Sequence, residues 1–165
     1  MTSSGLRKSA SVAEPRATAE GIRVGIDLVR VEDVRRSLET FGEAYLRRLF
    51  TADEIAYARA PGANDDVTAE RLAARFAAKE AVRKALCLDG TGVGYDSIEV
   101  VRAPSGACSL ALHCEAREAA RRGRIAELAL SMSHEGEYAT AVVMARIEAR
   151  ASAPSRLRVG TRGRK

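Results

Sequence analysis

Tryptophan is absent, and three Phe and four Tyr make up the whole aromatic complement, 4% of 165 residues. Stacking platforms for single-stranded nucleic acid therefore have little to be built from, and a core must rest on Leu, Val, Ile and Ala. Cysteine is scarce too. Cys87, Cys108 and Cys114 are odd in number and form no C-x-x-C pair, so neither a disulfide framework nor a zinc site is indicated. Reduced, mostly buried thiols are the expectation. No run approaches the roughly 18 apolar residues of a membrane-spanning helix. The opening MTSSGLRKSASVAEPRATAE also lacks the apolar stretch of a signal peptide. A cytoplasmic protein with no membrane partner is expected.

What is present is a globular composition, 46% hydrophobic and 30% charged, at a length that suits one domain. The net charge of +5 raises nucleic acid as a partner. Its distribution argues otherwise. Residues 146–165 carry seven Arg or Lys against one Glu, whereas 22–145 carry 17 basic against 19 acidic residues. The basic excess lies in a tail, and no specific nucleic-acid partner is expected. Residues 1–21 and 148–165 have no apolar periodicity and read as disordered tails around one domain over 22–147.

Within that domain, alternation over 22–28 predicts a strand. Val31, Val34, Leu38 and Phe41 then fall at helical spacing, followed by a short second helix through Tyr45, Leu46 and Leu49. Thr51-Ala52-Asp53-Glu54 has the form of a capping box and opens a third helix. The longest helix is predicted over about 68–86, and Gly90-Thr91-Gly92-Val93-Gly94 follows as a loop. Strands over 97–102 and 108–113 flank Pro104-Ser105-Gly106 as a hairpin, and a helix is predicted over 115–122. A second hairpin is predicted over 127–133 and 138–145, with Leu128, Leu130 and Met132 on one face and His134 in the turn. The order predicts an α+β fold with a small, mostly antiparallel sheet packed with helices.

Two acids stand where acids are awkward: Asp27 at the end of an apolar strand, and Glu80 in the middle of the long helix. A carboxylate pair suits magnesium, which completes its octahedron with waters and phosphate oxygens. The alternatives are that Asp27 satisfies backbone donors and that Glu80 pairs with Lys84 one turn on. Arg75, Lys79 and Arg83 recur every fourth residue with Lys84 beside them, a basic ribbon able to hold polyphosphate or simply a solvated face. The glycine loop offers backbone N–H groups to phosphate or only connects two elements. His134 is a phosphate donor or an ordinary turn residue, and His113 has no assigned role. Ser131 and Ser133 sit in no G-x-S-x-G elbow, which leaves a serine hydrolase unsupported.

In combination these segments resemble a known family. Val24-Gly25-Ile26-Asp27, followed about 50 residues later by Arg75-Phe76-Ala77-Ala78-Lys79-Glu80-Ala81-Val82-Arg83-Lys84-Ala85, resembles the two-part signature of the phosphopantetheinyl transferases. Leu49-Phe50-Thr51-Ala52-Asp53-Glu54 and Ser131-Met132-Ser133-His134-Glu135 resemble segments of its holo-acyl-carrier-protein synthase branch, and coverage runs from about Val24 to Ala145. The resemblance implies transfer of 4′-phosphopantetheine from coenzyme A to a serine of an acidic apo acyl carrier protein, with release of adenosine 3′,5′-bisphosphate. It implies that Asp27 and Glu80 hold Mg2+ and that Glu80, or a water on the metal, takes the serine proton. Lys84 would contact the phosphates and assist the leaving group, and His134 would contact the nucleotide side. Arg75 and Lys79, with Gly90, Thr91 and Gly92, would help bind coenzyme A.

One departure concerns the glycine loop, which Leu86-Cys87-Leu88-Asp89 precede, giving about three more residues than the pattern expects. The chain carries one G-x-D and one K-E-x-x-x-K, a single half of the larger members, so the resemblance implies a homotrimer with sites at subunit interfaces. For carrier docking the candidates are Arg30, Arg35 and Arg36 on the first helix, with Arg47 and Arg48 beyond, interleaved with Glu32, Asp33 and Glu39. The second reading is a non-catalytic module of the same fold that holds coenzyme A or a carrier protein.

Overall fold

Alternating side chains put Arg23, Gly25, Asp27 and Val29 on one face of strand β1 (Gly21–Arg30) and Ile22, Val24, Ile26 and Leu28 on the other. The computed structural model describes residues 21–148. After β1 come α1 (Val31–Leu49), α2 (Ala52–Ala58), α3 (Asp65–Leu86), a 3-10 turn (Tyr95–Ser97), β2 (Ile98–Arg102), β3 (Cys108–Leu112), α4 (Cys114–Arg122), β4 (Ile125–Glu135) and β5 (Tyr138–Ile147). The three long strands form an antiparallel sheet in the order β1-β5-β4, and β2 and β3 form a separate antiparallel hairpin. This is the expected α+β architecture with a small antiparallel sheet and four helices. The expected tails fall almost wholly outside the described residues.

Local chemistry sets the helix ends. Thr51 and Glu54 form a reciprocal capping box at α2, with Glu54 N donating to Thr51 Oγ1 at 3.3 Å and Thr51 N to Glu54 Oε2 at 3.0 Å. Asn64 caps α3 by accepting from Val67 N at 2.9 Å, and Asp65 and Asp66 suit the positive end of the dipole. The helix therefore starts about a turn before the predicted 68. It ends at Cys87 in the left-handed region (φ 55), where Leu88 N donates to Arg83 O at 2.9 Å. The two expected arms of α1 run on across a break at Gly42, whose φ of 53 and ψ of −131 only glycine adopts readily.

α3 packs across the inner face of the sheet through Ala73, Ala77, Ala78, Ala81 and Ala85, all buried. The approach is so close that a Cβ on Gly25 would lie 1.9 Å from the Ala81 carbonyl oxygen. One core cluster joins the C-terminal half of α3 to Ile98, Val100, Ala116 and Val143. Leu128, Leu130 and Met132 pack against it from β4, as the alternation predicts. The other joins the N-terminal half of α3 to Val31, Val34, Leu46 and Phe50. The opposite face of β1 is bare: Ile22, Val24, Ile26 and Leu28 are each 60–63% exposed, and Val142 and Met144 of β5 pair beside them.

Three expectations are corrected. The cysteines are free but not mostly buried. Cys87 and Cys114 are exposed, the first at the end of α3 and the second at the start of α4. His134 lies in β4 opposite Ala139 and not in the turn, because the strand continues to Glu135 and Gly136 (φ 55) makes the reversal. The basic ribbon of α3 is not a solvated face: Arg75 and Lys79 are buried, because the helix is packed on nearly all sides. Among the described residues no helix is long and apolar enough to cross a membrane.

Candidate active site

Gly25 lets α3 lie against β1, and that contact brings Asp27 to the C-terminal half of the helix. Lys84 Nζ stands 2.7 Å from Asp27 Oδ1 and donates to the Ile26 carbonyl at 2.9 Å. The bond to Asp27 raises the Lys84 pKa above its ordinary value, so the ammonium stays charged. Glu80, one turn earlier, does not form the helical pair with Lys84 that its spacing allows. Its Oε1 accepts the Tyr95 hydroxyl instead. Asp27 and Glu80 both line one open cleft of about 450 Å³, together with Val29, Asp33, Tyr45 and Phe76.

Tyr95 was not singled out by the sequence. Its ring lies against Phe76, with centroids 5.6 Å apart, and the Arg83 guanidinium covers it at 4.7 Å. Burial, then the hydrogen bond to anionic Glu80, push its pKa up to about 12, so the hydroxyl remains a donor. Glu54 was read as half of a capping box and as the end of a segment that resembles the family, with no role of its own. It also holds Lys79: Lys79 Nζ lies 2.7 Å from Glu54 Oε2 and donates to the Tyr95 carbonyl at 2.9 Å and to the Ile98 carbonyl, while Glu54 Oε1 accepts Val100 N at 2.9 Å. Burial lowers the Lys79 pKa, and the Glu54 charge opposes that shift.

All three Lys79 donors are thus engaged inside the chain. Arg75 is buried as well, its guanidinium 4.1 Å from the Tyr57 ring and donating to Arg71 O at 3.1 Å, and desolvation lowers its pKa. Neither faces the Asp27–Glu80 cleft within one chain. The glycine loop is also elsewhere: Leu88, part of the insertion, is buried, and Thr91 and Gly92 line a groove with Cys114, Glu115 and Arg117 of α4. Gly90 and Gly92 both have positive φ, 71 and 77, so the loop needs its glycines whatever it touches. His134 Nδ1 is 4.0 Å from Glu70 Oε2, ten residues before Glu80 and so about 15 Å along the helix.

Among the docking candidates, Arg35 is paired with Glu32 at 3.1 Å and Asp66 at 2.8 Å, and Arg36 with Asp33 at 3.7 Å. Arg30 stands at the start of α1 and Arg47 and Arg48 at its end, all exposed. The chain alone therefore assembles Asp27, Glu80 and Lys84, and leaves Arg75, Lys79, the 90–92 loop and His134 outside that cleft. Asp27 and Glu80 on an open cleft that Asp33 also lines, with the Lys84 ammonium bonded to Asp27, form an arrangement suited to a divalent cation and phosphate oxygens, the layout of a group-transfer enzyme acting on phosphorylated substrates.

The profile of the 4′-phosphopantetheinyl transferase superfamily matches residues 23–143. A holo-[acyl-carrier-protein] synthase of Gloeobacter violaceus is 41% identical over 121 residues, covering 73% of this chain and 89% of the relative. One of Desulforudis audaxviator is 44% identical over 123 residues, covering 74% and 90%. Among solved structures, the ACPS–CoA complex of Chronobacterium ammoniagenes is similar with a TM-score of 0.67 at 31% identity, covering 78% of this chain and 99% of that one. Helicobacter pylori holo-[acyl-carrier-protein] synthase in complex with coenzyme A has a TM-score of 0.63 at 27% identity, covering 74% and 98%. The chain belongs to the 4′-phosphopantetheinyl transferase superfamily and is an enzyme of its holo-[acyl-carrier-protein] synthase branch.

Proposed function

We propose that this chain moves 4′-phosphopantetheine from coenzyme A to a serine hydroxyl of an apo acyl carrier protein, releasing adenosine 3′,5′-bisphosphate. The observation that carries the reading is that Asp27 and Glu80 line one cleft, with Lys84 bonded to Asp27, in a member of this superfamily. Glu80 accepts the serine proton as the serine oxygen bonds to the phosphorus that bears pantetheine. The bond from that phosphorus to the oxygen of the adenylate phosphate breaks, and the electron pair leaves with the bisphosphate. Lys84 compensates the charge that grows there. The donor set fits magnesium: Asp27 engages Lys84 through one oxygen and Glu80 engages Tyr95 through one, so each offers its second to a hard cation. Bound there, Mg2+ would neutralise pyrophosphate oxygens.

The bare face of β1 supports a homotrimer. An apolar row of four residues flanked by Val142 and Met144 is the kind of patch a soluble chain covers by association. A neighbouring copy also supplies what one chain lacks, since His134 lies far along α3 from Glu80 and reaches a nucleotide only across an interface. Gly90, Thr91 and Gly92 contribute to coenzyme A binding from the α4 groove. Arg75 and Lys79 contribute by fixing the cleft wall from within. An acidic carrier docks along α1, with Arg30, Arg47 and Arg48 the arginines at its ends and Arg35 and Arg36 exchanging their present acidic partners.

The test is intact mass of an apo carrier after incubation with the enzyme, coenzyme A and magnesium. A gain of one phosphopantetheine is expected, with the rate reduced by about 10²-fold or more in Glu80→Gln and in the magnesium-free control. No gain with several carriers while coenzyme A still binds would establish the binding-module reading instead. Separately, Val24→Asp combined with Ile26→Asp leaves α3 untouched and is expected to yield folded monomers by sedimentation velocity, with transfer lost. A wild-type chain that is monomeric and active would remove the trimer.

A further inference from the structure

Glu80 is a long, flexible side chain, and a carboxylate that binds a cation pays for being disordered beforehand. In this chain its oxygen is tied to a phenol that is itself immobile. The Tyr95 ring is packed on one side by Phe76 and covered by the Arg83 guanidinium, which is anchored in turn by donating to Val93 O at 2.7 Å. The Tyr95 carbonyl is held by Lys79, and Lys79 by buried Glu54. Behind Tyr95 the turn is closed by Ser97, whose Oγ donates to Gly94 O at 2.6 Å. Thus a continuous set of contacts runs from the cap of α2 through Glu54, Lys79 and Tyr95 to Glu80. Its last link is the single polar atom of the Tyr95 side chain.

We propose that Tyr95 is a positioning residue, whose hydroxyl holds the Glu80 carboxylate in place in the cleft it shares with Asp27, prepared for a divalent cation. The inference rests on the reading of Glu80 as a ligand and adds which residue orients it. Partners of this kind typically change metal affinity 10- to 100-fold when removed.

The decisive variant is Tyr95→Phe in the full chain, which keeps the ring against Phe76 and Arg83 and deletes only the donor. Mn2+ binding in the presence of coenzyme A is read from the loss of the free-ion paramagnetic resonance signal, for wild type, Tyr95→Phe, Glu80→Gln and the double variant. Tyr95→Phe is expected to weaken Mn2+ binding about 10- to 100-fold. Its melting temperature stays close to wild type, and its transfer rate recovers toward wild type at saturating Mg2+. A purely structural role would lower stability without a deficit that added metal repairs. In the double variant, Tyr95→Phe is expected to add nothing to Glu80→Gln, as groups acting through one another are non-additive. If Glu80→Gln loses Mn2+ while Tyr95→Phe binds as wild type does, the inference falls and Glu80 remains a ligand. If Glu80→Gln also binds as wild type does, the ligand reading itself falls, and the inference with it.

Discussion

Replacing Gly25 by alanine is expected to cost this chain more of its stability than any other single methyl added to β1. The new Cβ would stand 1.9 Å from the Ala81 carbonyl oxygen and 2.9 Å from Ala85 N, both backbone atoms of a helix fixed on several sides. No side chain can rotate away to relieve that overlap. The strand and α3 would have to separate, opening the layer built on Ala81, Ala85 and Val143 and lengthening the Lys84–Asp27 contact. Overpacking ordinarily costs about 1–3 kcal/mol, and backbone against backbone places this case at or above the top of that range. Thermal denaturation of Gly25→Ala should show a fall of about 10 °C or more. Gly21→Ala is the control, because nothing lies within 4 Å of a Cβ there. Equal melting of the two variants would mean that β1 and α3 are not in the contact described.

Breaking the buried pair of Glu54 and Lys79 from one side is the second large effect. Both side chains are shut away from water, and removing one partner of such a pair costs about 3–5 kcal/mol by stranding the other charge. Glu54→Gln and Lys79→Met should each show that loss in chemical denaturation, while the double substitution recovers a large part of it. pH separates the charge from the packing. Burial already holds the Lys79 pKa below the 10.5 of a free lysine, against the raising influence of Glu54. In Glu54→Gln that influence is gone, so the unfolded chain binds more protons than the folded one over the alkaline range. Stability then rises with pH in both proteins, but more in the variant, where Lys79 is depressed further, so the deficit of Glu54→Gln should shrink as pH rises toward the 10.5 of an unfolded lysine. A deficit constant with pH would assign the loss to packing alone.

The order of elements and the shared face of Leu128, Leu130 and Met132 on β4 were legible because each is written in a short periodic window, whereas alternation in β1 did not say which of its faces is covered. Asp27 and Glu80 stood out as well, one acid at the end of an apolar strand and one in the middle of a long helix. What the window cannot hold is the surroundings of a face. Arg75, Lys79 and Arg83 share one side of α3 by spacing, but whether that side meets water depends on α2 and β2, which lie elsewhere in the sequence. Tyr95 and Glu80 meet across a loop, and Glu54 and Lys79 across the whole start of α3. Contacts made over such separations leave no periodic trace. His134 was misplaced for a local reason: the polar run His134-Glu135-Gly136-Glu137 looked like a four-residue turn, and the strand pairing continues through Glu135.

The Glu54–Lys79 contact also fixes how this protein responds to its solvent. One carboxylate and one ammonium join the start of α2, the middle of α3 and the segment 95–100, a cross-link spanning three stretches of chain that contain no disulfide. A reductant cannot open it. Salt, which screens exposed pairs such as Arg35 with Asp66 or Arg59 with Glu43, hardly reaches it. The segment that carries Tyr95 should therefore keep its shape through changes of redox state and ionic strength that loosen the exposed ion pairs of α1.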